Sequence, residues 1–289
     1  MFTRRCTQRQ FLLRPDDTTN QIFLYCLALA ARKFLVRVFF TMANSNHHHT
    51  GADDSDGRYP EFLQYFHRLV ACCQNARLGR RENLWASEQT SVVQLADREA
   101  VLDKMVYALT NPVKDHLVAR ASDWPGVSSL QASLSGRPMT VRRPTQFFRG
   151  KDFPDEIELP IARPPGYEDL SQEDFAALLR ERIADAERAA AAERAEKGIS
   201  ILGRKTVRRQ SFYDSPSSFE PRRGISPRVA GRNKWARIEA LQRLRDWLAS
   251  YRSAWLRFAA GARDVLFPAG THALRLYAGV ACEPFPDTG

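Results

Sequence analysis

Within its first 130 residues the chain changes hydrophobic period several times, which limits it to folds that lay helices against a sheet. Phe2 to Leu13 alternates basic and apolar residues as a strand does. Asp17 to Lys33 has helical spacing behind an Asp-Asp-Thr-Thr-Asn start, whose acidic first turn suits the helix dipole. Phe34 to Met42 is rich in Val and Phe without a helical stripe and predicts a strand. A second helix is expected from about Pro60, since proline is tolerated in a first turn, with Phe62, Phe66, Leu69, Val70 and Cys73 on one face. Ser91 to Leu95 predicts a brief strand, and Asp97 to Thr110 a helix that Pro112 ends or turns. No glycine-rich phosphate loop accompanies these elements, so the pattern is α+β rather than a doubly wound sheet.

The apolar run Ile22 to Ala31 is too short to span a bilayer. Asp16 and Asp17 just before it favour a helix over a secretion signal. Five cysteines, odd in number and without zinc-type spacing, read as buried reduced thiols of a cytoplasmic protein. Against 33 acidic residues stand 43 Lys and Arg, a formal charge of +10. Most of that excess lies beyond residue 130.

There the composition shifts. Residues 131–170 carry Pro138, Pro144, Pro154, Pro160, Pro164 and Pro165 and predict an extended linker. Residues 171–289 predict a largely helical basic extension. Ser171 opens an Ala/Glu/Arg helix that Gly198 closes, a solvated rod by composition. A final helix, about Asn233 to Ala260, carries Trp235, Ile238, Leu241, Leu244, Leu248, Tyr251, Trp255 and Phe258 and is expected to pack the extension onto the core. Between these helices lie Arg204, Lys205, Arg208, Arg209, Arg222 and Arg223, with Phe212 and Tyr213 among them. Such a set can neutralise phosphates and stack bases, although a solvated basic loop accounts for the charge equally well.

The densest chemistry is His47-His48-His49. On an extended backbone His47 and His49 project to one face and His48 to the other, a two-imidazole platform for a divalent metal. An exposed histidine tract has the same spacing. Tyr107 and Asn111, four apart, share one helical face, which sets a phenol beside an amide oxygen. A phenol near a cation-bound phosphate is a usable nucleophile. A tyrosine at the core edge and an asparagine before Pro112 would look no different.

Taken together, Met42-Ala43-Asn44-Ser45-Asn46-His47-His48-His49, Tyr107 with Asn111-Pro112-Val113, and Asp123-Trp124-Pro125-Gly126-Val127-Ser128-Ser129 resemble the REP-associated tyrosine transposases. These are relatives of the small insertion-sequence transposases that act on single-stranded DNA and carry the HUH (His-hydrophobic-His) motif. The resemblance covers residues 1–130. It implies an HUH-type, ferredoxin-like antiparallel sheet with flanking helices, the histidine pair on a middle strand and the tyrosine on a facing helix. It also implies His47, His49 and Asn111 as ligands of Mg or Mn, and Tyr107 as nucleophile. The implied reaction is cleavage of single-stranded DNA beside a hairpin, giving a 5′-phosphotyrosine and a free 3′-hydroxyl, then strand transfer. A cytoplasmic, nucleoid-associated protein follows, with no membrane partner and a homodimer as the candidate oligomer. The sequence departs from the family at His48, where a hydrophobic residue is usual, and at Thr50-Gly51-Ala52-Asp53-Asp54, which is expected to end the strand early. These departures leave open a catalytically inactive hairpin-binding protein and a water-using metal phosphodiesterase that needs His47 and His49 but not Tyr107.

Overall fold

The computed structural model describes residues 1–218 and 227–284. In chain order it runs β1 (Phe2–Arg5), α1 (Asp17–Phe34), β2 (Arg37–Ala43), β3 (His47–Asp53), α2 (Tyr59–Leu78), β4 (Ser91–Val92), β5 (Gln94–Leu95), α3 (Arg98–Leu109), α4 (Asn111–Lys114), α5 (Leu130–Ser135), β6 (Met139–Arg142) and β7 (Glu156–Leu159). It continues with α6 (Gln172–Lys197), α7 (Arg204–Arg209), β8 (Val229–Ala230), α8 (Lys234–Ala259), β9 (Leu266–Phe267), α9 (His272–Ala278) and β10 (Ala281–Cys282). The main sheet has the order β2-β3-β1-β4 and is antiparallel throughout. A β-α-β-β-α-β succession with the first and third strands inside the sheet is the split βαβ arrangement.

The α+β expectation therefore holds, and the sheet has a separate core on each face. On one side Phe23, Leu27, Phe62, Phe66 and Val70 of α1 and α2 pack against Phe2, Val38 and Ala43. On the other, Leu102, Met105 and Leu109 of α3 pack against Phe39, Phe40 and Met42. Residues 127–129 run along β2, where Ala43 donates to the Val127 carbonyl and Ser129 to the Thr41 carbonyl, each at 2.9 Å. The indole of Trp124 donates to the Ala43 carbonyl at 2.9 Å.

Local signals explain the helix starts. The Asp16 carboxylate accepts from the Thr19 N–H at 2.8 Å and so caps α1. The same carboxylate receives a fork of two bonds from Arg77 of α2, at 2.9 and 2.8 Å, and one from Arg14 at 3.1 Å. Burial works to raise its pKa, but the Arg77 guanidinium, the Thr19 N–H and Arg14 overcome this and hold it at about 2. A folded pKa below the unfolded one stabilises the protein above about pH 4, and that stabilisation is lost as pH falls towards 2. Two units correspond to roughly 2–3 kcal/mol. Urea unfolding at several pH values should show the Asp16→Asn protein less stable by about that amount at neutral pH, with the gap closing near pH 2. A gap independent of pH would show that the ion pair contributes nothing.

Several sequence expectations are corrected. The Phe2–Leu13 strand stops at Arg5, and a single 3₁₀ turn follows in which Gln8 and Arg9 have φ of 50° and 58°. The strand after His49 does not end early: β3 continues to Asp53, with Gly51 opposite Phe40. A Cβ on Gly51 would come nearer than 3.0 Å to the rings of Phe39 and Phe40. Glycine there lets two aromatic rings cross the strand. Residues 131–170 are not a bare linker. They hold α5 and the antiparallel β6-β7 hairpin, whose Val141, Ile157 and Leu159 join the core around α1. The Tyr25 hydroxyl of α1 donates to the Pro154 carbonyl at 2.7 Å.

Helix α6 is not a solvated rod. Its Phe175, Leu179, Ile183 and Ala190 are buried in the α3 core, and Arg182 donates to Glu99 at 3.0 Å. The final helix does not pack onto the main core either. It is tethered at its start, where Arg232 donates to Asp103 at 2.8 Å and the Asn233 N–H to Asp97 at 2.9 Å. Its other end shares a small cluster with Val265, Phe267 and Val280. Trp235, Ile238, Leu248 and Trp255 remain exposed. All five cysteines are free, but Cys72 is exposed, contrary to the buried expectation. Among the described residues no helix is long and apolar enough to cross a membrane.

Candidate active site

β3 lies inside the sheet, between β2 and β1, so its alternation places His47 and His49 on the face towards α3. The rings of His47 and His49 have centroids 4.8 Å apart, and the His49 ring lies 5.6 Å from that of Tyr107. His47, Tyr107 and Asn111 line one cavity of about 840 Å³. Tyr107 is 39% exposed and Asn111 is buried. The side chains singled out from spacing come from three elements: the histidines from β3, Tyr107 from α3 and Asn111 from α4, which is a separate short helix after Thr110 rather than a continuation of α3.

A hydrogen bond sets the tautomer of His47. His47 Nδ1 lies 2.7 Å from Asn46 Oδ1, which requires Nδ1–H, so Nε2 accepts from the Asn44 amide at 3.2 Å. His49 Nδ1 lies 2.8 Å from Thr3 Oγ1 of the neighbouring strand. That hydroxyl can donate or accept, so the contact allows either tautomer; in the one with Nδ1–H donating to it, His49 Nε2 carries its lone pair. This atom and Asn111 Oδ1 are buried and find no hydrogen-bond partner among the described residues, as does Asn44 Oδ1. Orphaned buried acceptors are costly, and a bound ion or water is one way of satisfying them.

The electrostatics favour neutral imidazoles. Burial, aided by Arg5, lowers His47 to about 4. Burial, then His47 and Lys104, puts His49 well below its ordinary value. Neutral rings are the metal-binding form. Two imidazole nitrogens and an amide oxygen are a borderline set that accommodates Mn or Mg when phosphate and water oxygens complete the shell. Among the described residues no group of three His, Cys, Asp or Glu side chains could make a cage, so the set depends on Asn111. Two lysines flank the phenol: Lys114 Nζ lies 4.6 Å and Lys104 Nζ 5.5 Å from the Tyr107 ring centroid. Burial, then Lys104, lowers the Lys114 pKa.

His48 points the other way, into the α1–α2 core. Its Nε2 lies 2.9 Å from His67 Nε2 of α2, and Phe23, Phe66 and Trp85 surround its ring. Between His47 and His49 the chain thus carries a buried imidazole with a partner.

Of the basic residues expected to meet DNA, Arg204, Lys205, Arg208 and Arg209 form α7 and are exposed, with Arg208 paired to Asp17 at 2.8 Å. Arg222 and Arg223 lie outside the described residues. Sequence reasoning missed Thr3, Asn44, Lys104 and Lys114, and it missed that Gln210 and Asp214–Ser218 line the far side of the same cavity. Only the short spacing from Asn44 to the histidines, and of both lysines from Tyr107, could have pointed to any of these.

No family model matches this chain, and no curated protein does. Among solved structures the chain is similar to a REP-associated tyrosine transposase bound to a REP hairpin. The two share 21% identity over 46% of this chain and 77% of the other, with a TM-score of 0.34. That score is too low to transfer a fold or an activity, so function has to be read from the side chains.

Proposed function

We propose that the protein is a transposase-like nuclease that cleaves and rejoins single-stranded, hairpin-associated DNA through Tyr107, on an HUH-type domain spanning residues 1–130. The observation that carries this reading is the placement of His49 between His47 and Tyr107, with buried acceptors on His49 and Asn111 left without protein partners. His47 Nε2, once the Asn44 amide releases it, would hold Mg or Mn together with His49 Nε2 and Asn111 Oδ1. When bound, the cation would polarise a phosphoryl oxygen and offset the charge that develops there.

The chain's own groups do the rest. The Tyr107 oxygen attacks the phosphorus of a phosphodiester, the bond to the 3′ oxygen breaks, and the tyrosine's proton ends on the released 3′-hydroxyl. The strand is left as a 5′-phosphotyrosine that retains the bond for rejoining. Lys104 and Lys114, both close to the Tyr107 ring, would hold the phosphate. Arg204, Lys205, Arg208 and Arg209 would contact backbone phosphates, as would Arg222 and Arg223. Such an enzyme works at the DNA itself, in the cytoplasm and on the nucleoid.

Incubating the protein with a hairpin oligonucleotide and Mn should give a covalent adduct on a denaturing gel, and Tyr107→Phe should give none. Binding without cleavage would assign a hairpin-recognition role instead. Cleavage that persists in Tyr107→Phe would make water the nucleophile.

A further inference from the structure

The cavity that holds Tyr107 is closed on its far side by a segment that begins about a hundred residues after it in sequence. Gln210 and Asp214–Ser218 line it together with Arg5, Arg9 and Phe11. This strap is fixed at both ends. The N–H groups of Leu202 and Gly203 donate to the carbonyls of His116 and Leu117, at 3.0 and 2.9 Å, which anchors it to the turn after α4. Along residues 9–14, the Phe11 N–H donates to the Asp214 carbonyl at 2.9 Å, Arg14 to the Gln210 carbonyl at 2.7 Å and Arg9 to the Ser218 carbonyl at 2.7 Å. Phe212 lies under the guanidinium of Arg14, 3.9 Å from the ring centroid, and the Tyr213 hydroxyl donates to the Leu78 carbonyl at 3.1 Å.

The strap is thus held mainly through its own carbonyls and aromatic rings, and Ser215, Ser217 and Ser218 line the cavity, with the Ser218 hydroxyl accepting from Arg9 at 3.3 Å. The facing turn is strained: Arg9 sits at φ 58°, and His116, on the cavity's other side, at φ 57°. Left-handed non-glycine residues persist where the surroundings over-determine them, and they cluster at ligand clamps. The lining combines guanidinium and ammonium groups (Arg5, Arg9, Lys114), an aromatic ring (Phe11) and hydroxyls. These are the ingredients of a single-strand site, with cations for phosphates, a ring for a base and small donors for base edges.

We propose that the strap and residues 5–11 form a subsite for the nucleotide next to the reacting phosphate, with Phe11 as the stacking platform and Arg5 and Arg9 at its backbone. The inference rests on the nuclease reading, because it takes the strand at Tyr107 to be DNA. It goes beyond that reading by giving the extension a place in the substrate site and by restricting that site to an unpaired strand.

The test uses the full chain carrying Tyr107→Phe, which binds without cutting, and an oligothymidylate of about a dozen residues containing one photoactivatable 4-thiothymidine. Cross-links are expected on the peptides holding Phe11 and 210–218. Phe11→Ala should weaken binding about tenfold and Phe11→Trp should restore it, since stacking tolerates any aromatic ring. Cross-links confined to other surfaces, equal loss in Phe11→Ala and Phe11→Trp, or no measurable binding would overturn the subsite. An adduct formed by the unmodified enzyme alongside such results would leave the nuclease reading standing. Cross-links at the strap without any adduct would do the reverse.

Discussion

Changing His49 to leucine is expected to remove Mn-dependent strand cleavage while leaving the metal-free protein as stable as before, or more so. The expectation follows from what the imidazole does when no cation is bound. Its Nε2 is buried with no partner among the described residues, and an unsatisfied buried polar atom costs about 1–3 kcal/mol. Leucine fills a similar volume and carries no such atom. Its cost is a donor: one imidazole and one amide would remain. Losing several kcal/mol of charge stabilisation corresponds to a fall of about a thousandfold in rate.

Melting curves separate the two effects. With Mn at about a hundred times its dissociation constant, the wild-type protein should gain roughly 2.7 kcal/mol, and the variant nothing. Thr3→Val, which removes only the hydroxyl at 2.8 Å from His49 Nδ1, should weaken Mn binding by about ten- to a hundredfold. If His49→Leu melts at the same Mn-raised temperature as the wild type, His49 is not a ligand and the donor set is wrong.

What was legible in the sequence was whatever a few neighbouring residues decide. Asp16, Asp97 and Ser171 each cap a helix where the sequence placed its start, and Gly198 ends α6 in the left-handed conformation glycine favours. The alternation of His47 and His49 is likewise local, whereas the shared helical face expected for Tyr107 and Asn111 is interrupted at Thr110, which ends α3 before α4 begins. Gly51 misled because glycine is a weak strand residue, and its reason for being there, two rings packed across it, lies on the adjacent strand.

The role of α6 was obscured by its many alanines, although Phe175, Leu179 and Ile183 already sit at four-residue intervals along one face. That face buttresses α3, so the helix carrying Tyr107 is supported from outside the first 130 residues. On α8 an amphipathic stripe was legible, but its partner was not, since periodicity says that a face is apolar and not what covers it. The strap is the extreme case. Residues 210–218 reach the site through bonds to residues about two hundred positions earlier, and no local pattern encodes these.

The same contrast between local pattern and distant partner governs His48. A double-mutant cycle with His67 should show why a polar residue is tolerated between the two candidate ligands. The two Nε2 atoms are 2.9 Å apart, so one ring donates and the other accepts, and both are neutral. Burial, then Arg4, pushes His67 to about 3, and burial, then His67, puts His48 well below its ordinary value. The pair is extended by Thr50, 3.2 Å from His48 Nδ1, and by the Trp85 indole, which donates to the His67 carbonyl at 2.9 Å.

Replacing His67 alone with leucine strands the His48 nitrogen in an apolar layer, an expected loss of about 2–3 kcal/mol. Replacing His48 alone strands His67 in the same way. Replacing both removes the two polar groups together, and the double variant should lie within about 1 kcal/mol of the wild type. The coupling between the sites should therefore be large compared with the few tenths of a kcal/mol typical of independent positions.

Because His47 and His49 face away from this layer, the double variant should still form the Tyr107 adduct. It would then present histidine, an apolar residue and histidine along β3. Denaturant unfolding of the four proteins, with adduct yield measured on each, decides the matter. Additive stabilities would mean that the imidazoles do not act as a pair. A stable double variant that has lost the adduct would mean that His48 contributes to the chemistry from behind the strand.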